Sequence, residues 1–403
     1  MRLVILNEFF YPDRFGGTGK VLSDLARRLQ DEQGIQVTAI ATQRPYRGEE
    51  LSLGSEDNWD GIEIHRIALD HGDRQDLGKR LKSDIAFMWK SFQTIRKLRP
   101  VDGILVSTNP PVLPMAAWMA KKLFGIPYWY VIYDLEPDRA AVLSVVDGGS
   151  FKAKLLRKWQ RRWLHGADRV IAIGRCIREH LAAHYDLSER QLTVIPVGED
   201  SETVPALPKT GEFRREFEGK LVLLYTGNFG RYHDFEHVFA AAEELKSDDR
   251  FAFVFVGGGK KEQELREELE SRGLTNVHLR PFASPEDYPH LLASADLCLV
   301  TLEPGMEGLC VPSKFYSFLA AGRPTLALMG SECEVARVIE EEQCGFVLDQ
   351  PDGREIAALL RDCADGRHDL EEMGCRARKS LERSWSSSRI AENYKKIMTK
   401  EAA

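Results

Sequence analysis

A unit that occurs twice limits the fold of this chain more than anything else in its sequence. The unit is a short apolar run, then a glycine-rich turn, then an amphipathic helix, and its apolar runs are Leu3–Leu6 and Leu221–Tyr225. Such runs have the length and composition of buried parallel strands, and a glycine turn between strand and helix is typical of the βαβ unit. Two copies far apart in the sequence predict two doubly wound α/β sheets.

Further apolar runs of strand length follow each copy of this unit, with predicted helices between them. In the first half they are Val37–Ala41, Gly103–Ser107, Tyr128–Ile132, Arg169–Ile173 and Leu192–Ile195. In the second half they are Phe251–Val256, Val277–Leu279, Leu297–Val300, Thr325–Leu328 and Gly345–Val347. Alternation of strand and helix predicts that both sheets are parallel and covered by helices.

The length of 403 residues is more than one ordinary core requires, so two domains are expected. We predict a first Rossmann-like domain over 1–200 and a second over 220–385. Residues 201–219 contain Pro, Gly and several charges and are interpreted as a linker. The segment 386–403 is predicted to be a helix that packs back on the first domain.

Composition excludes several classes of partner and compartment. The formal charge of −7 argues against nucleic acid as the main partner, because that binding requires clustered cations. The seven cysteines are scattered and never form a CxxC pair, which suits a reducing compartment and gives no metal signal. Glu8 interrupts the first apolar run before it could form a signal-peptide core, and no run approaches the length of a membrane span. The sequence therefore predicts a soluble, cytoplasmic protein.

Two segments, 74–99 and 151–163, are basic and amphipathic. In the first, apolar residues recur at steps of three and four, and in the second they form one side amid six cations. The apolar positions are Leu81, Ile85, Met88, Phe92, Ile95 and Leu98 in the first segment, and Leu155, Trp159 and Trp163 in the second. One interpretation is a helix packed on its own core with a solvated basic face. The other is contact with an anionic membrane at the inner face of the cell.

The stretch Met306–Pro324 is the strongest candidate for a binding site. An acid and a glycine, Glu307 and Gly308, lead through Pro312-Ser313-Lys314 into an apolar helix that stops at Gly322. Such a loop offers backbone N–H groups and one lysine, which are groups that hold a phosphate or diphosphate. An ordinary surface loop with a capped helix is the alternative.

Glycines recur at other predicted strand ends, where they would let the backbone approach a ligand. They are Gly16 and Gly17 after the first strand, Gly227 beside Asn228, and Gly257 in a run of three glycines. Arg231 follows Gly227 closely and could offer its fork of donors to a phosphate, although a simple turn with a surface arginine would look the same.

Asp134 follows the strand Tyr128–Ile132, where α/β folds bind ligands. It is our candidate for a polar contact or a base. Asp134, Glu136 and Asp138 could in principle hold a metal, but Pro137 interrupts them and no histidine accompanies them, so no metal is predicted.

Several motifs taken together give the chain a family resemblance. They are YPDRFGG near the start, YTGNFGR, VFVGGGKK and ASADLCLV in the second half, and PSKFYSFLAAGRPTLA. In that order, over nearly the whole chain, they resemble a family four glycosyltransferase of GT-B fold, and in particular the bacterial transferases that build exopolysaccharide or O-antigen units.

The resemblance implies two Rossmann-like domains facing across a cleft, a nucleoside diphosphate-sugar such as a UDP-sugar as donor, retention at the anomeric carbon, and no cofactor or metal. It implies that Arg231 and Lys314 neutralise the diphosphate and that Glu307 contacts the donor sugar. It also implies that Asp134 lies on the acceptor side. Further donor contacts are implied for Gly16, Gly17, Gly227, Asn228, Gly257, Arg280, Pro281, Phe282, Gly308, Leu309, Cys310 and Ser317.

The sequence departs from the family pattern in three respects. The spacing from Glu307 to the helix is longer than usual, and the histidine that many relatives carry near Asp134 is missing. The third departure concerns a glutamate. The family usually has a second glutamate that holds the ribose hydroxyls, and Ser317 occupies its place here. A single hydroxyl cannot grip two vicinal hydroxyls as a carboxylate does. Two other functions therefore stay open, a nucleotide-sugar epimerase of the same fold and a catalytically silent nucleotide-sugar-binding protein. The acceptor, a glycan or small molecule with or without a lipid, also stays open.

Overall fold

The computed structural model describes residues 1–13, 17–43, 45, 53–69, 77–230, 235–259 and 261–399. They form two compact units, each with its own sheet. The first unit comprises Met1–Val197, Gly308–Cys310 and Ser387–Ala403. The second comprises Gly198–Glu307 and Val311–Ser386. The prediction of two α/β domains built on parallel sheets is confirmed.

The first unit contains an eight-stranded sheet in the order β3-β4-β2-β1-β5-β6-β7-β8. Its strands are β1 (Arg2–Leu6), β2 (Gln36–Thr42), β3 (Glu56–Trp59), β4 (Ile62–Ile67), β5 (Gly103–Ser107), β6 (Tyr128–Ile132), β7 (Arg169–Ala172) and β8 (Leu192–Val194). Every described neighbouring pair is parallel except β3 with β4. Central strands such as β5 and β6 are buried along their whole length, as expected for a parallel sheet covered on both faces.

The sequence analysis did not predict the β3–β4 hairpin. Trp59 pairs with Ile62, so the connection has two residues, Asp60 and Gly61, and both have positive φ (49° and 87°). An Asp-Gly pair is the preferred sequence for such a turn. The alternation of buried Ile62 and Ile64 with exposed Glu63 was the signal that could have located β4.

Helices cover the sheet of the first unit. They are α1 (Gly17–Asp31), α2 (Leu77–Leu98), α3 (Pro114–Phe124), α4 (Asp138–Val142), α5 (Phe151–Gly166) and α6 (Arg175–Tyr185). The chain moves in one direction across the sheet from β4 to β7, and right-handed crossovers therefore place α2, α3 and α5 on one face. No helix among the described residues is both long and apolar enough to cross a bilayer.

The second unit contains a six-stranded parallel sheet in the order β11-β10-β9-β12-β13-β14. Its strands are β9 (Leu221–Asn228), β10 (Phe251–Gly258), β11 (Val277–Arg280), β12 (Leu297–Thr301), β13 (Thr325–Leu328) and β14 (Gly345–Leu348). Its helices are α7 (Glu212–Arg215), α8 (Glu236–Glu244), α9 (Glu262–Arg272), α10 (Tyr288–Ser294), α11 (Lys314–Ala320), α12 (Glu334–Glu342), α13 (Gly353–Ala364) and α14 (Leu370–Ser380). A π-helical turn, Leu381–Trp385, follows α14.

Aromatic residues dominate the core next to β9. The rings of Tyr225 and Phe235 meet edge to face with centroids 4.8 Å apart, and Phe255 packs edge to face on Phe235 at 5.3 Å. These three residues are almost completely buried and belong to one cluster with α8 and α13. The cluster fixes the strand end at which Gly227 and Asn228 lie.

The segment interpreted as a linker is fastened to the second unit by ion pairs. Lys209 Nζ lies 3.0 Å from one carboxylate oxygen of Asp296, and Arg214 Nη1 lies 2.7 Å from the other. Asp296 also accepts a hydrogen bond from the backbone N–H of Val222 at 2.8 Å. These residues therefore anchor the start of β9.

The last helix, α15 (Ser387–Met398), packs on α1 within the first unit. Ile390, Ala391 and Tyr394 are its buried face. Ser388 Oγ also donates a hydrogen bond to Glu32, just beyond α1, at 3.0 Å.

Candidate active site

Lys314 begins α11 and reaches the end of β9. Its ammonium Nζ lies 3.8 Å from the centroid of the Tyr225 ring, a cation–π contact. A Cβ built on Gly227 would lie 3.1 Å from the same Nζ, so this glycine leaves room for the ammonium group. Burial lowers the pKa of Lys314 to about 7. A buried cation of this kind gains most when an anion arrives beside it.

Glycines let the ends of two paired parallel strands, β9 and β10, approach each other closely beside this lysine. A Cβ on Gly257 would lie only 1.8 Å from the carbonyl oxygen of Gly227, so no side chain fits there. Gly227 itself has a φ of 138°. The hydroxyl of Tyr225 donates to the backbone oxygen of Asn228 at 2.8 Å and holds the turn in place. The structure therefore brings Gly227, Asn228, Gly257 and Lys314 together, as their predicted common role requires.

The loop of Arg280, Pro281 and Phe282, predicted to contact the donor, lies next to these paired strand ends. Arg280 ends β11, and Pro281 and Phe282 follow it as exposed residues. A Cβ on Gly258 would come within 3.1 Å of the Phe282 ring, so the ring packs on the glycine run. The Arg280 guanidinium is paired with Glu216. Phe282 thus joins the glycine and lysine group, whereas the Arg280 side chain is held by an acid.

A cavity of about 100 Å³ opens at the carboxyl ends of the last three strands. Its lining includes Thr301 and Leu328, the last residues of β12 and β13, and Asp349, which follows β14. Glu307, predicted to contact a donor sugar, also lines it, as does His237 near the start of α8. The volume is enough for several water molecules. Carboxylates in a mostly apolar wall are the groups expected to orient a polyhydroxylated ligand.

Ser317 takes part in a buried polar cluster of the second unit. Its hydroxyl donates to Glu199 Oε2 at 2.6 Å, and Glu199 Oε1 accepts from the N–H of Asp200 at 3.0 Å. Tyr288 also contacts Ser317, and burial raises its pKa strongly. Position 317 therefore has a carboxylate beside it although the residue itself is a serine.

Gly308, Leu309 and Cys310 belong to the first unit by their contacts. Leu309 accepts a hydrogen bond from the N–H of Leu135 at 2.9 Å, and Cys310 forms an antiparallel bridge with Asp134. Gly308 has a φ of 75°, and a Cβ there would lie 2.9 Å from His180 Cβ. Glycine is therefore required at this position both by conformation and by space.

Asp134 lies at the end of β6. Its N–H donates to Thr108 Oγ1 at 3.3 Å, and its carboxylate lies 3.6 Å from Arg139 Nη1. Burial raises the pKa of Asp134, and Arg139 opposes this shift. Carboxyl groups with a raised pKa are frequent at active sites, where they take up or release protons.

The two carboxylates that follow Asp134 have partners of their own. Glu136 accepts two hydrogen bonds from Arg139, at 3.0 and 2.7 Å. Asp138 accepts from Tyr185 at 2.6 Å and from Arg157 at 2.8 Å. Although burial opposes the shift, hydrogen bonds from His180, Tyr185 and Arg157 lower the pKa of Asp138 to about 2. Glu136 and Asp138 are therefore both engaged in ion pairs with arginines.

Two predicted site residues cannot be compared with the structure. Gly16 and Arg231 lie outside the described residues. Gly17 begins α1 and is exposed.

Sequence reasoning missed several polar groups near these sites. Asn7 follows β1, and its side-chain oxygen accepts from Ser107 Oγ at 2.6 Å, at the neighbouring end of β5. Glu199, Tyr288, His237 and Asp349 were also missed. Only Asn7 and Asp349 carried a signal, since each directly follows a strand.

Comparison with known families covers most of the chain. The profile of the glycosyl transferase 4-like domain matches residues 16–198. The profile of glycosyl transferases group 1 matches residues 209–380. Among curated proteins, the chain is 27% identical over 325 residues to the probable glycosyltransferase WbjE of Pseudomonas aeruginosa, covering 78% of this chain and 79% of the relative. It is 24% identical to the O-antigen chain mannosyltransferase C of Escherichia coli, covering 99% and 98%.

Solved structures share the architecture at low sequence identity. Sucrose-phosphate synthase from Thermosynechococcus elongatus gives a TM-score of 0.77 at 16% identity, with 100% of this chain and 99% of that chain covered. Anabaena HepE, solved in complex with UDP, gives 0.73 at 14% identity, with 99% and 100% covered. These likenesses confirm the predicted GT-B fold class.

Proposed function

Because the chain belongs with the glycosyltransferases that join a 4-like domain to a group 1 domain, we propose that it transfers a sugar from a nucleoside diphosphate-sugar, with retention at the anomeric carbon. The observation that carries the donor proposal is the position of Lys314, whose ammonium lies over the Tyr225 ring and beside Gly227 at the paired ends of β9 and β10. A diphosphate at Gly227 would place negative charge beside this ammonium group and favour its charged form.

The other parts of the donor follow from the neighbours of Lys314 in the second unit. The base stacks or packs near Phe282, which touches the glycine run. The sugar enters the cavity lined by Glu307 and Asp349, where carboxylates accept hydrogen bonds from its hydroxyls. UDP is the first nucleotide to test, because HepE was solved with it.

Transition-state stabilisation in this arrangement comes from cations rather than from a resident metal. As the glycosidic oxygen leaves, negative charge develops on the diphosphate, and a preorganised lysine stabilises it. Arg231 is proposed as the second cation. We propose no metal for the reaction. Chelation of divalent ions should therefore leave the rate of transfer unchanged.

The acceptor is proposed to be a growing cell-surface glycan, carried on a lipid at the cytoplasmic face of the membrane. The similarity to an O-antigen chain mannosyltransferase supports this choice. Asp134, whose pKa is raised by burial, is proposed to contact the acceptor hydroxyl.

The donor proposal is tested by calorimetry with UDP, GDP, ADP and TDP, followed by incubation with the matching sugar nucleotides. Replacement Lys314→Ala should weaken binding of the preferred nucleotide on the order of 10- to 100-fold, which is the loss of one charge-assisted contact. Lys246→Ala removes an exposed cation of the same unit and serves as the matched control. Equal affinity of the wild type and Lys314→Ala would refute the site.

Product analysis separates transfer from the other functions of this fold. Release of nucleoside diphosphate, with an α-linked product from an α-linked donor, supports retaining transfer. Isomerised donor without release would indicate an epimerase, and tight binding without turnover would indicate a silent binding protein.

A further inference from the structure

Arg139, the second residue of α4, is held in one position by Glu136. Its Nε and Nη2 both donate to Glu136 Oε1, at 3.0 and 2.7 Å. Glu136 Oε2 accepts in turn from the backbone N–H of Ala140 at 3.1 Å, so the acid is itself fixed to α4. A guanidinium group that is bound through two of its nitrogens cannot rotate freely. The third nitrogen, Nη1, is therefore left in a defined place.

This third nitrogen lies beside Asp134. The distance from Nη1 to Asp134 Oδ1 is 3.6 Å, which is short enough for an ion pair but too long for a direct hydrogen bond. The backbone of Asp134 is also fixed, since its N–H donates to Thr108 Oγ1 and the residue forms a bridge with Cys310. The side chain of Asp134 is 40% exposed and that of Arg139 is 24% exposed. The carboxylate can therefore accept a further hydrogen bond from a ligand.

Arg139 and Glu136 act on the charge of Asp134 in opposite directions. Desolvation raises the pKa of Asp134 most, the Arg139 guanidinium lowers it, and the Glu136 carboxylate raises it. Two neighbouring carboxylates without a cation between them would favour a proton on one of them, and Arg139 opposes that proton. Other titratable groups nearby come from neighbouring elements. They are the Cys310 thiol, which acts on Arg139, and Asp138, which is bound by Arg157, Tyr185 and His180.

We propose that Arg139 is a positioning residue of the transfer reaction: fixed by Glu136, it keeps the Asp134 carboxylate charged, so that this group accepts a hydrogen bond from the acceptor hydroxyl. This role rests on the proposed function of Asp134 at the acceptor. The alternative is a purely structural role, in which Arg139 only anchors the start of α4. In that case the charge of the side chain at position 139 would not matter.

Two replacements separate the charge of Arg139 from its role as an anchor. Arg139→Gln removes the charge but keeps an amide N–H that can donate to Glu136, whereas Arg139→Lys keeps the charge. Arg161→Gln is the matched control, because Arg161 is a cation of the same unit that pairs at the surface with Asp186, at 2.6 Å. Circular dichroism checks that each variant is folded.

Carbon NMR of the full chain, labelled at the aspartate carboxyl carbons, measures the charge of Asp134 directly. The spectrum of Asp134→Asn identifies the signal. In Arg139→Gln the titration midpoint of Asp134 should move to higher pH than in the wild type, because the lost cation no longer favours the charged form. The midpoint should stay near its wild-type position in Arg139→Lys and in Arg161→Gln. An unchanged midpoint in Arg139→Gln would overturn the proposal.

The pH profile of the reaction gives a second readout. Release of nucleoside diphosphate from the preferred sugar nucleotide, with water as the acceptor, is followed from pH 5 to pH 9. Each rate is divided by the wild-type rate at the same pH, so that titrations common to both proteins cancel. Arg139→Gln should lose on the order of 10-fold near pH 5 and regain most of it at pH 9, where Asp134 is charged in both proteins. A ratio that is equal at every pH, or equal losses in Arg139→Gln and Arg139→Lys, would assign Arg139 a structural role and overturn the proposal.

The NMR titration distinguishes failure of this proposal from failure of the proposed function, because it involves no sugar nucleotide and no transfer. If no sugar nucleotide is turned over while the Asp134 midpoint moves as expected, the proposed function fails and the effect of Arg139 on Asp134 stands. If transfer occurs and the midpoint does not move, only the role of Arg139 fails.

Discussion

Ser317 Oγ donates a hydrogen bond to Glu199 Oε2 across 2.6 Å, although 118 positions separate the two residues in the sequence. The resemblance to family four glycosyltransferases implies a glutamate at position 317. In this chain position 317 is a serine, and its hydroxyl binds a carboxylate from another element, the segment that follows β8.

Replacing Ser317 by alanine is expected to destabilise the second unit. The Glu199 carboxylate is 5% exposed, and loss of the serine hydroxyl leaves it with one donor fewer. We expect the free energy of unfolding to fall by about 1–3 kcal/mol. Urea unfolding measures this change, and Ser313→Ala, at an exposed position in the same segment, is the control. If the two variants are equally stable, the hydrogen bond contributes nothing.

The sheets could be predicted from the sequence because buried parallel strands are short apolar runs, and each of those runs is a strand in the structure. The loop before Lys314 was also predicted from the sequence, because glycine, proline and lysine together are typical of a loop at the end of a strand. The partner of Ser317 was not predictable, because nothing local in the sequence links Glu199 to α11. Leu81 and Ile85, predicted to form one stripe with the buried residues of α2, are exposed in the structure, and they were misassigned for a related reason. Helical periodicity predicts which residues share a face of a helix, as Leu81 and Met88 do. It does not show that other residues pack against Met88 and leave Leu81 exposed.

Gly257→Ala should disturb the pairing of β9 and β10 at their carboxyl ends. The new Cβ would meet the carbonyl oxygen of Gly227 at 1.8 Å, and a backbone atom cannot move aside as a flexible side chain does. We expect a loss of about 3 kcal/mol of unfolding free energy, together with loss of nucleotide binding.

Gly273→Ala is the matched control for this replacement. Gly273 has a φ of 62°, and a Cβ there has no atom within 4 Å. Its replacement should therefore cost only about 1 kcal/mol, from backbone strain. Equal effects of the two replacements on thermal unfolding would contradict the close approach at Gly257.

Binding of a nucleotide sugar should weaken as pH rises above 7. Burial lowers the pKa of Lys314 to about 7 in the free protein, and a bound diphosphate raises it again. The affinity for the nucleotide sugar is therefore greatest below pH 7. It falls as the pH rises from 7 toward the pKa that Lys314 has in the complex. Between pH 6 and pH 8 the dissociation constant should increase about tenfold.

Calorimetry in two buffers of different ionisation enthalpy measures the proton that Lys314 takes up at pH 8. A nucleotide sugar is preferable to UDP here, because its diphosphate diester does not titrate in this range. In Lys314→Met the proton uptake should disappear. Persistent uptake in that variant would assign the titration to another group.

Asp349→Asn should change which sugar the enzyme prefers while leaving the nucleotide affinity alone. Asp349 lines the cavity together with Glu307 and is not part of the lysine and glycine group. The amide has nearly the same shape as the carboxylate but offers one acceptor and one donor, so hydroxyls that paired with two acceptors lose a contact. We expect kcat/KM for the best donor to fall roughly 10-fold relative to an epimeric donor, which corresponds to about 1.4 kcal/mol of discrimination. Competition between two UDP-sugars measures this ratio, and the affinity for UDP alone is the internal control. An unchanged ratio would place the sugar outside the cavity, whereas a weakened UDP affinity would indicate that Asp349 acts on the nucleotide instead.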